Sequence, residues 1–323
     1  MGNWLSRLNY NPIPSLLESG DEAVRLFTQR DLLGSAVSID DLWQLVEPKR
    51  ILRRQKPNGS WIYPGRKEDI RTQENYNQIE TYRNLGILVE QFGLSNQHPA
   101  VRQAASYLFT FQTQAGDFRG IYGNQYSPNY TAGITELLIK AGYQEDGRIN
   151  KVLEWLLSIR QEDSGWAIPF RTRKHNLDAM AMMATTIEPD TSKPSSHMVT
   201  GVVLRAFAVH QSYKQSPEIH RAAKLLLSRL FGKDCYPDRA TPAYWLRFSF
   251  PFWFTDLISA LDSLSRLGFS AGEPSVARSL HWFITKQQKN GLWELKVLKG
   301  RNRDLLQLWL DLSICRIFKR LYS

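Results

Sequence analysis

The sequence predicts an all-α fold built from repeated helical hairpins. Apolar residues recur at three- and four-residue spacing in segment after segment, and strand-type alternation is almost absent. One helix-ending motif returns along most of the 323 residues. The length and the unbroken repeat suit a single domain over 1–323, with residues 1–19 as an amino-terminal extension.

Taken in order, 21–33 and 39–54 supply a first pair of helices. The second of these ends in Gln55, then Gly59 four residues on, then Trp61. The same outline returns at Gln112, Gly116 and Phe118, at Gln161, Gly165 and Trp166, and at Gln287, Gly291 and Trp293. A degenerate copy between the last two has Ser228 where Gln belongs, then Gly232 and Cys235-Tyr236. Glycine can end a helix in a left-handed conformation without a Cβ penalty. Glutamine in the last turn can bond the open helix end, and the aromatic packs back over it.

A second helix lies between motifs, over 76–92, 130–141, 197–213, 252–267 and 304–321. Gly93, Gly142 and Gly268 end three of these, and Pro99, Pro217 and Pro274 open the helices that follow. The sum is about five to six hairpins. Long connections follow the Gly-aromatic turns, and the longest, 167–196, is an insertion with room for a helix over 176–186. Alternate connections in a hairpin array emerge on opposite faces, so the long loops share one face, where binding residues gather.

Composition narrows the function. The formal charge is +10, which suits an anionic membrane or a phosphorylated ligand. Nucleic acid ranks low, because no groove-binding basic helix, RNP signature or zinc-finger spacing is present. Two cysteines, Cys235 and Cys315, fit a reducing compartment, so the expected location is cytoplasmic, with peripheral membrane contact through the basic face. No apolar run reaches the ~18 residues of a membrane span. Neither a phosphate-binding glycine loop nor a Gly-x-Ser-x-Gly nucleophile elbow occurs.

Gln-x3-Gly-x-Trp at the end of a helix resembles the QW repeat of the squalene–hopene cyclase and prenyltransferase-β superfamily. The resemblance runs from about residue 20 to 320 in this periodic chain. The segment Phe250-Pro-Phe-Trp-Phe-Thr-Asp256 through Gly268 is similar to small single-ring bacterial cyclase-like proteins. It implies a single α/α toroid, with inner helices around an aromatic-lined cavity and outer helices around them. It also implies an isoprenoid-like small molecule in that cavity and no cofactor, with Mg2+ accompanying the substrate if that is a diphosphate.

This sequence departs from the family's patterns in two places. The Asp-x-Asp-Asp acid motif of class II terpene cyclases is missing, and the nearest run, Ser38-Ile39-Asp40-Asp41, reads as a helix start with acidic first-turn residues. The Asp-Cys-His zinc set of protein prenyltransferases has no counterpart, since no histidine lies near either cysteine in sequence, and no metal site is expected.

In a toroid the amino ends of the inner helices face the cavity mouth. Asp256 is the first candidate for a proton donor, because the aromatics around it raise a carboxyl pKa by desolvation. The plain alternative is a cap, or a partner for Arg247. Glu80, Asp178 and Asp311 are weaker candidates for the acid. Tyr76, Glu80, Tyr130, His197, Trp245, Trp253 and Trp309 are candidate substrate contacts, the aromatics by cation–π attraction, with ring core as the plainer reading of any single aromatic. Arg171, Arg173, Lys174, Arg301 and Arg303 are candidates for diphosphate or membrane contact.

Two other functions fit the same residues. A toroid can carry a lipid or a partner without chemistry. A carbohydrate-active (α/α)6 ring would need two facing carboxylates about 5 to 9.5 Å apart, for which Glu80 and Asp256 are the pair to inspect.

Overall fold

The computed structural model describes residues 3–66, 75–173, 185–298 and 302–322. Its helices are α1 (Ile13–Leu17), α2 (Glu22–Asp31), α3 (Val46–Leu52), α4 (Tyr76–Phe92), α5 (Pro99–Phe109), α6 (Pro128–Leu138) and α7 (Gly147–Ser158). They continue with a short α8 (Pro169–Thr172), then α9 (His197–Val209), α10 (Pro217–Ser228), α11 (Leu257–Arg266), α12 (Pro274–Lys286) and α13 (Arg303–Tyr322). Strand-like pairing among the described residues is confined to isolated bridges.

Six helices close a ring. α2 packs on α4, α4 on α6, α6 on α9, α9 on α11, α11 on α13, and α13 returns to α2. The helices α1, α3, α5, α7, α10 and α12 alternate with these along the chain; α1 and α3 pack on the inner helix that follows, α5 and α7 on the one that precedes, and α10 on both. The expected toroid is present as six hairpins. Its inner helices run parallel, since residues at the carboxyl ends of all six line one cavity.

The repeated turns lock each hairpin to the next. Gln55 Nε2 donates to the carbonyls of Gly59 and of Ala100, the latter in the first turn of α5. Gln112 does the same with Gly116 and Arg148 in α7. The ring aromatic turns inward: Trp61 Nε1 donates to the Ile51 carbonyl, Trp166 to Leu156 and Trp293 to Phe283, each ten residues back. Gly59 has φ +87°, and a Cβ there would sit 2.1 Å from the Gln103 carbonyl oxygen, so both its conformation and its clearance require glycine.

Two repeats depart. In the third, Trp166 follows Gln161 one residue sooner than elsewhere, and the left-handed conformation falls on Ser164 at φ 78°. Gln161 there bonds the carbonyls of Asp190 and Lys193, loop residues in place of an outer helix. In the fourth, the packing aromatic is Trp245 rather than Tyr236: it is buried, and its Nε1 donates to the Gly232 carbonyl. An inserted stretch between Gly232 and Trp245 hid that correspondence.

Residues 3–17 pack against the ring. Trp4 is buried, and the 3-10 turn Asn3–Arg7 packs on α13. Gln287 Nε2 donates to the Tyr10 and Gly291 carbonyls, so residues just ahead of α1 receive the last repeat as α5 receives the first. Of the 167–196 insertion, the expected helix over 176–186 lies almost wholly outside the described residues.

Candidate functional site at the amino-terminal mouth of the ring

The long loops follow the outer helices, so they lie at the amino ends of the inner helices. An aromatic layer crosses the ring there. Tyr82 meets Trp253 edge-to-face at 5.1 Å and Tyr130 at 6.2 Å, and Tyr130 meets Tyr122 at 5.4 Å. Glycines on the inner helices admit these rings. A Cβ on Gly86 would lie 2.5 Å from the Trp253 ring, and one on Gly133 would lie 2.5 Å from the Tyr82 hydroxyl.

Asp256 stands at the amino end of α11, three residues beyond Trp253. It is 1% exposed. Its Oδ1 accepts from the Ser259 backbone N–H at 2.8 Å, and its own N–H donates to Ser259 Oγ, a reciprocal capping box. Its Oδ2 is buried with no hydrogen-bond partner among the described residues. Burial pushes the carboxyl up to about 6, against the pull of the Ser259 bonds, of Arg205 and of the Ser249 backbone N–H. Asp256 therefore does cap, and the arginine bearing most on it is Arg205, with Arg239 also within electrostatic reach, rather than the sequence neighbour Arg247.

Arg205 is committed elsewhere. Its Nε donates to Glu136 at 2.8 Å, and Glu136 also takes Lys140 at 2.7 Å. Lys140 reaches on to Glu90 at 2.5 Å. This buried network fills the ring beneath the aromatic layer, and the sequence reading missed it. Its trace in sequence was an arginine inside the otherwise apolar helix 197–209.

Asp311 is a second buried carboxyl. Trp293 donates its backbone N–H to Oδ1 at 3.2 Å, and Gln307 donates at 3.0 Å, leaving Oδ2 without a partner among the described residues. Three other repeats place a threonine hydroxyl at this point: Thr81 under Trp61, Thr131 under Phe118 and Thr200 under Trp166. Burial pushes Asp311 up to about 8. Asp311 and exposed Arg303 line an open cavity of about 660 Å³ together with Trp293 and Gln307.

The other candidates scatter. Trp309 stacks on Phe250 at 5.1 Å and is core. Trp245 is core, and buried His197 lies tilted against it at 4.7 Å, with Nε2 3.6 Å from Asp234. Tyr76 packs on Tyr63 at 4.8 Å, away from the Tyr82 layer. Glu80 accepts from Asn84 on its own helix. Arg171 forms a two-pronged pair with Asp238 at 2.6 and 2.7 Å, and Arg173 lies 3.6 Å from Asp190. Lys174, Asp178 and Arg301 lie outside the described residues. Asp40 and Asp41 open a 3-10 turn at the surface. Among the described residues, no three His, Cys, Asp or Glu side chains converge to hold a metal ion, and no helix is long and apolar enough to cross a membrane.

No known protein-family profile matches the chain. Over 173 residues, 51% of this chain, it is 28% identical to the squalene–hopene cyclase of Zymomonas mobilis, and the match spans only 25% of that enzyme's length. Among solved structures, the type II terpene cyclase MstE from Scytonema, in complex with geranylgeranyl dihydroxybenzoate, aligns with a TM-score of 0.48 at 13% identity, over 92% of this chain and 86% of that one. A protein from Actinoplanes aligns at 0.32 with 13% identity, over 88% of this chain and all of that one. The match to squalene–hopene cyclase, on a chain of Gln-Gly-aromatic repeats, supports a terpene-cyclase-like superfamily relationship.

Proposed function

We propose that this chain is a terpene-cyclase-like protein that holds an isoprenoid chain at the amino-terminal mouth of its ring and protonates it from Asp256. The observation that carries this reading is the buried, unpartnered Oδ2 of Asp256 beside the Tyr82–Trp253 layer. A carboxyl raised to about 6 holds its proton more firmly than a surface aspartate, yet can release it near neutral pH. In the proposed step the proton passes from Oδ2 to a terminal alkene. The alkene's π pair forms the new C–H bond, and a carbocation and an aspartate remain. Arg205 then faces the aspartate, and the rings of Tyr82, Trp253 and Tyr130 face the cation. No cofactor enters this step; Mg2+ would come only with a diphosphate substrate.

A second reading, a lipid- or partner-binding ring without chemistry, is favoured by one observation. Trp253 lies across Gly86 at the ring axis, where a substrate would have to enter.

The test is mass spectrometry of organic extracts after incubating the purified chain with squalene, farnesyl diphosphate or geranylgeranyl diphosphate. Asp256→Asn and Asp311→Thr run alongside. A cyclised product lost in Asp256→Asn is the expected result. Product kept there and lost in Asp311→Thr would move the acid to Asp311. No product from any substrate would leave the binding ring.

A further inference from the structure

At the opposite end of the ring, the carboxyl ends of all six inner helices surround an open cavity of about 870 Å³. Its wall is strongly basic. Asp31 is shared by Arg30 and Arg316, at 2.5 Å each. Asp262, just behind the wall, is shared by Arg266 at 2.8 Å and Arg320 at 3.2 Å. Lys140 and Arg205 are balanced by Glu90 and Glu136. Lys319 donates only to the Asp31 and Leu32 carbonyls, and Lys214 to the Gln211 side chain. Two arginines and two lysines thus have no carboxylate of their own among the described residues.

Helix ends explain part of this gathering, because unpaired carbonyls and the negative end of the helix dipole attract cations. They do not explain the arginines. Asp31 and Asp262 are each approached by two guanidinium groups, donors that suit phosphate oxygens as well as carboxylates. The concave wall also brings cations from α2, α11, α13 and the turns after α6 and α9 toward one cavity, which strengthens their common field.

We propose that this carboxyl-end bowl binds a compact polyanion of the phosphate class, carrying two or more charges, independently of any chemistry at the other mouth. The phosphate comes either free in solution or on a lipid headgroup.

The test uses the full chain and two probes, inorganic pyrophosphate by isothermal titration and phosphatidylcholine vesicles containing phosphatidic acid by co-sedimentation. Lys214→Gln/Lys319→Gln removes the two lysines without stripping any acid of its partner. Lys296→Gln alters a lysine that lines the cavity at the other mouth. The expected result is pyrophosphate binding that weakens with added salt, falls about tenfold or more in the double variant, and is unchanged in Lys296→Gln. Vesicle binding without pyrophosphate binding, lost in the double variant, supports the same site with a lipid headgroup as the source. If neither probe binds, or the double variant binds as tightly as the parent, the proposal is overturned and the cations serve the helix ends alone. Should the double variant fail to fold by circular dichroism, Lys214→Gln alone carries the same comparison.

Discussion

The two ends of the ring treat buried acids in opposite ways. Toward the amino end, Asp256 and Asp311 are buried and raised, to about 6 and about 8. Toward the carboxyl end, Asp262, Glu136 and Asp31 are also withdrawn from water, and all three are lowered. Burial alone pushes every one of them up. The lowered group is overcome by cations: Arg266 and Arg320 at Asp262, Arg205 and Lys140 at Glu136, Arg316 and Arg30 at Asp31. Asp256 and Asp262 make the point within one stretch of chain, since they stand six residues apart, the first capping α11 and the second about halfway along it. One end of the ring thus stores protons and the other stores ion pairs. Only the first arrangement equips a carboxyl to donate a proton.

The largest test of this contrast is Asp311→Thr, which restores the hydroxyl found in three other repeats. The folded-state pKa is raised, so the native protein binds more protons than the unfolded chain from about pH 4 to 8, and stability falls as pH rises through that window. The slope is about 1.4 kcal/mol per pH unit for one proton, on the order of 5 kcal/mol across the window. Urea unfolding at a series of pH values should show that slope in the parent and not in the variant. A parallel pH dependence in both would mean Asp311 is not neutral at pH 7.

Next in size is Arg205→Leu. It leaves Glu136 buried with Lys140 alone, and breaking one side of a buried pair costs roughly 3–5 kcal/mol. It also removes a cation that lowers Asp256, so the two ends of the ring should respond together: lower stability in urea, and a higher Asp256 pKa by carboxyl-resolved NMR. An unchanged Asp256 would show that the ends are electrostatically separate. Asp256→Asn is smaller. Asparagine still caps, and the variant should lose only the decline in stability between about pH 4 and 6, roughly 3 kcal/mol in all. Matched pH profiles of parent and variant would sink the assignment of a raised pKa.

The contrast was half legible in the sequence. The ring could be read because its signals are local: Gln55, Gly59 and Trp61 sit in one turn, and Gly93, Gly142 and Gly268 each end a helix. Asp256 could be read because its aromatic neighbours are adjacent in sequence. Its true electrostatic partner could not, since Arg205 is about fifty residues away and reaches Asp256 only across the packing of α9 on α11. The basic bowl was missed for the same reason. Its cations come from five separated stretches of the chain, whereas the loop arginines, clustered in sequence, turned out in the case of Arg171 to be paired with Asp238. Trp245 is not legible as the fourth repeat's aromatic, because the insertion ahead of it breaks the motif's spacing.

The smallest expected effect bears on whether the amino-terminal mouth can open. In an exposed helix, Gly→Ala stabilises by about 1 kcal/mol, since alanine loses less backbone freedom on folding. At Gly86 the new methyl would lie 2.5 Å from the Trp253 ring and 3.2 Å from a Leu137 methyl. Overpacking of that kind costs roughly 1–3 kcal/mol. If Trp253 is fixed across the axis, Gly86→Ala should therefore lose about 1 kcal/mol net. If Trp253 swings aside at little cost, the helix preference wins and the variant gains stability, with a shift in tryptophan fluorescence as the ring moves toward water. The second outcome would give the amino-terminal mouth an entrance that a substrate could use, with Asp256 behind it. The first would leave Asp256 sealed from substrate, and the binding ring would then be the better account of the fold.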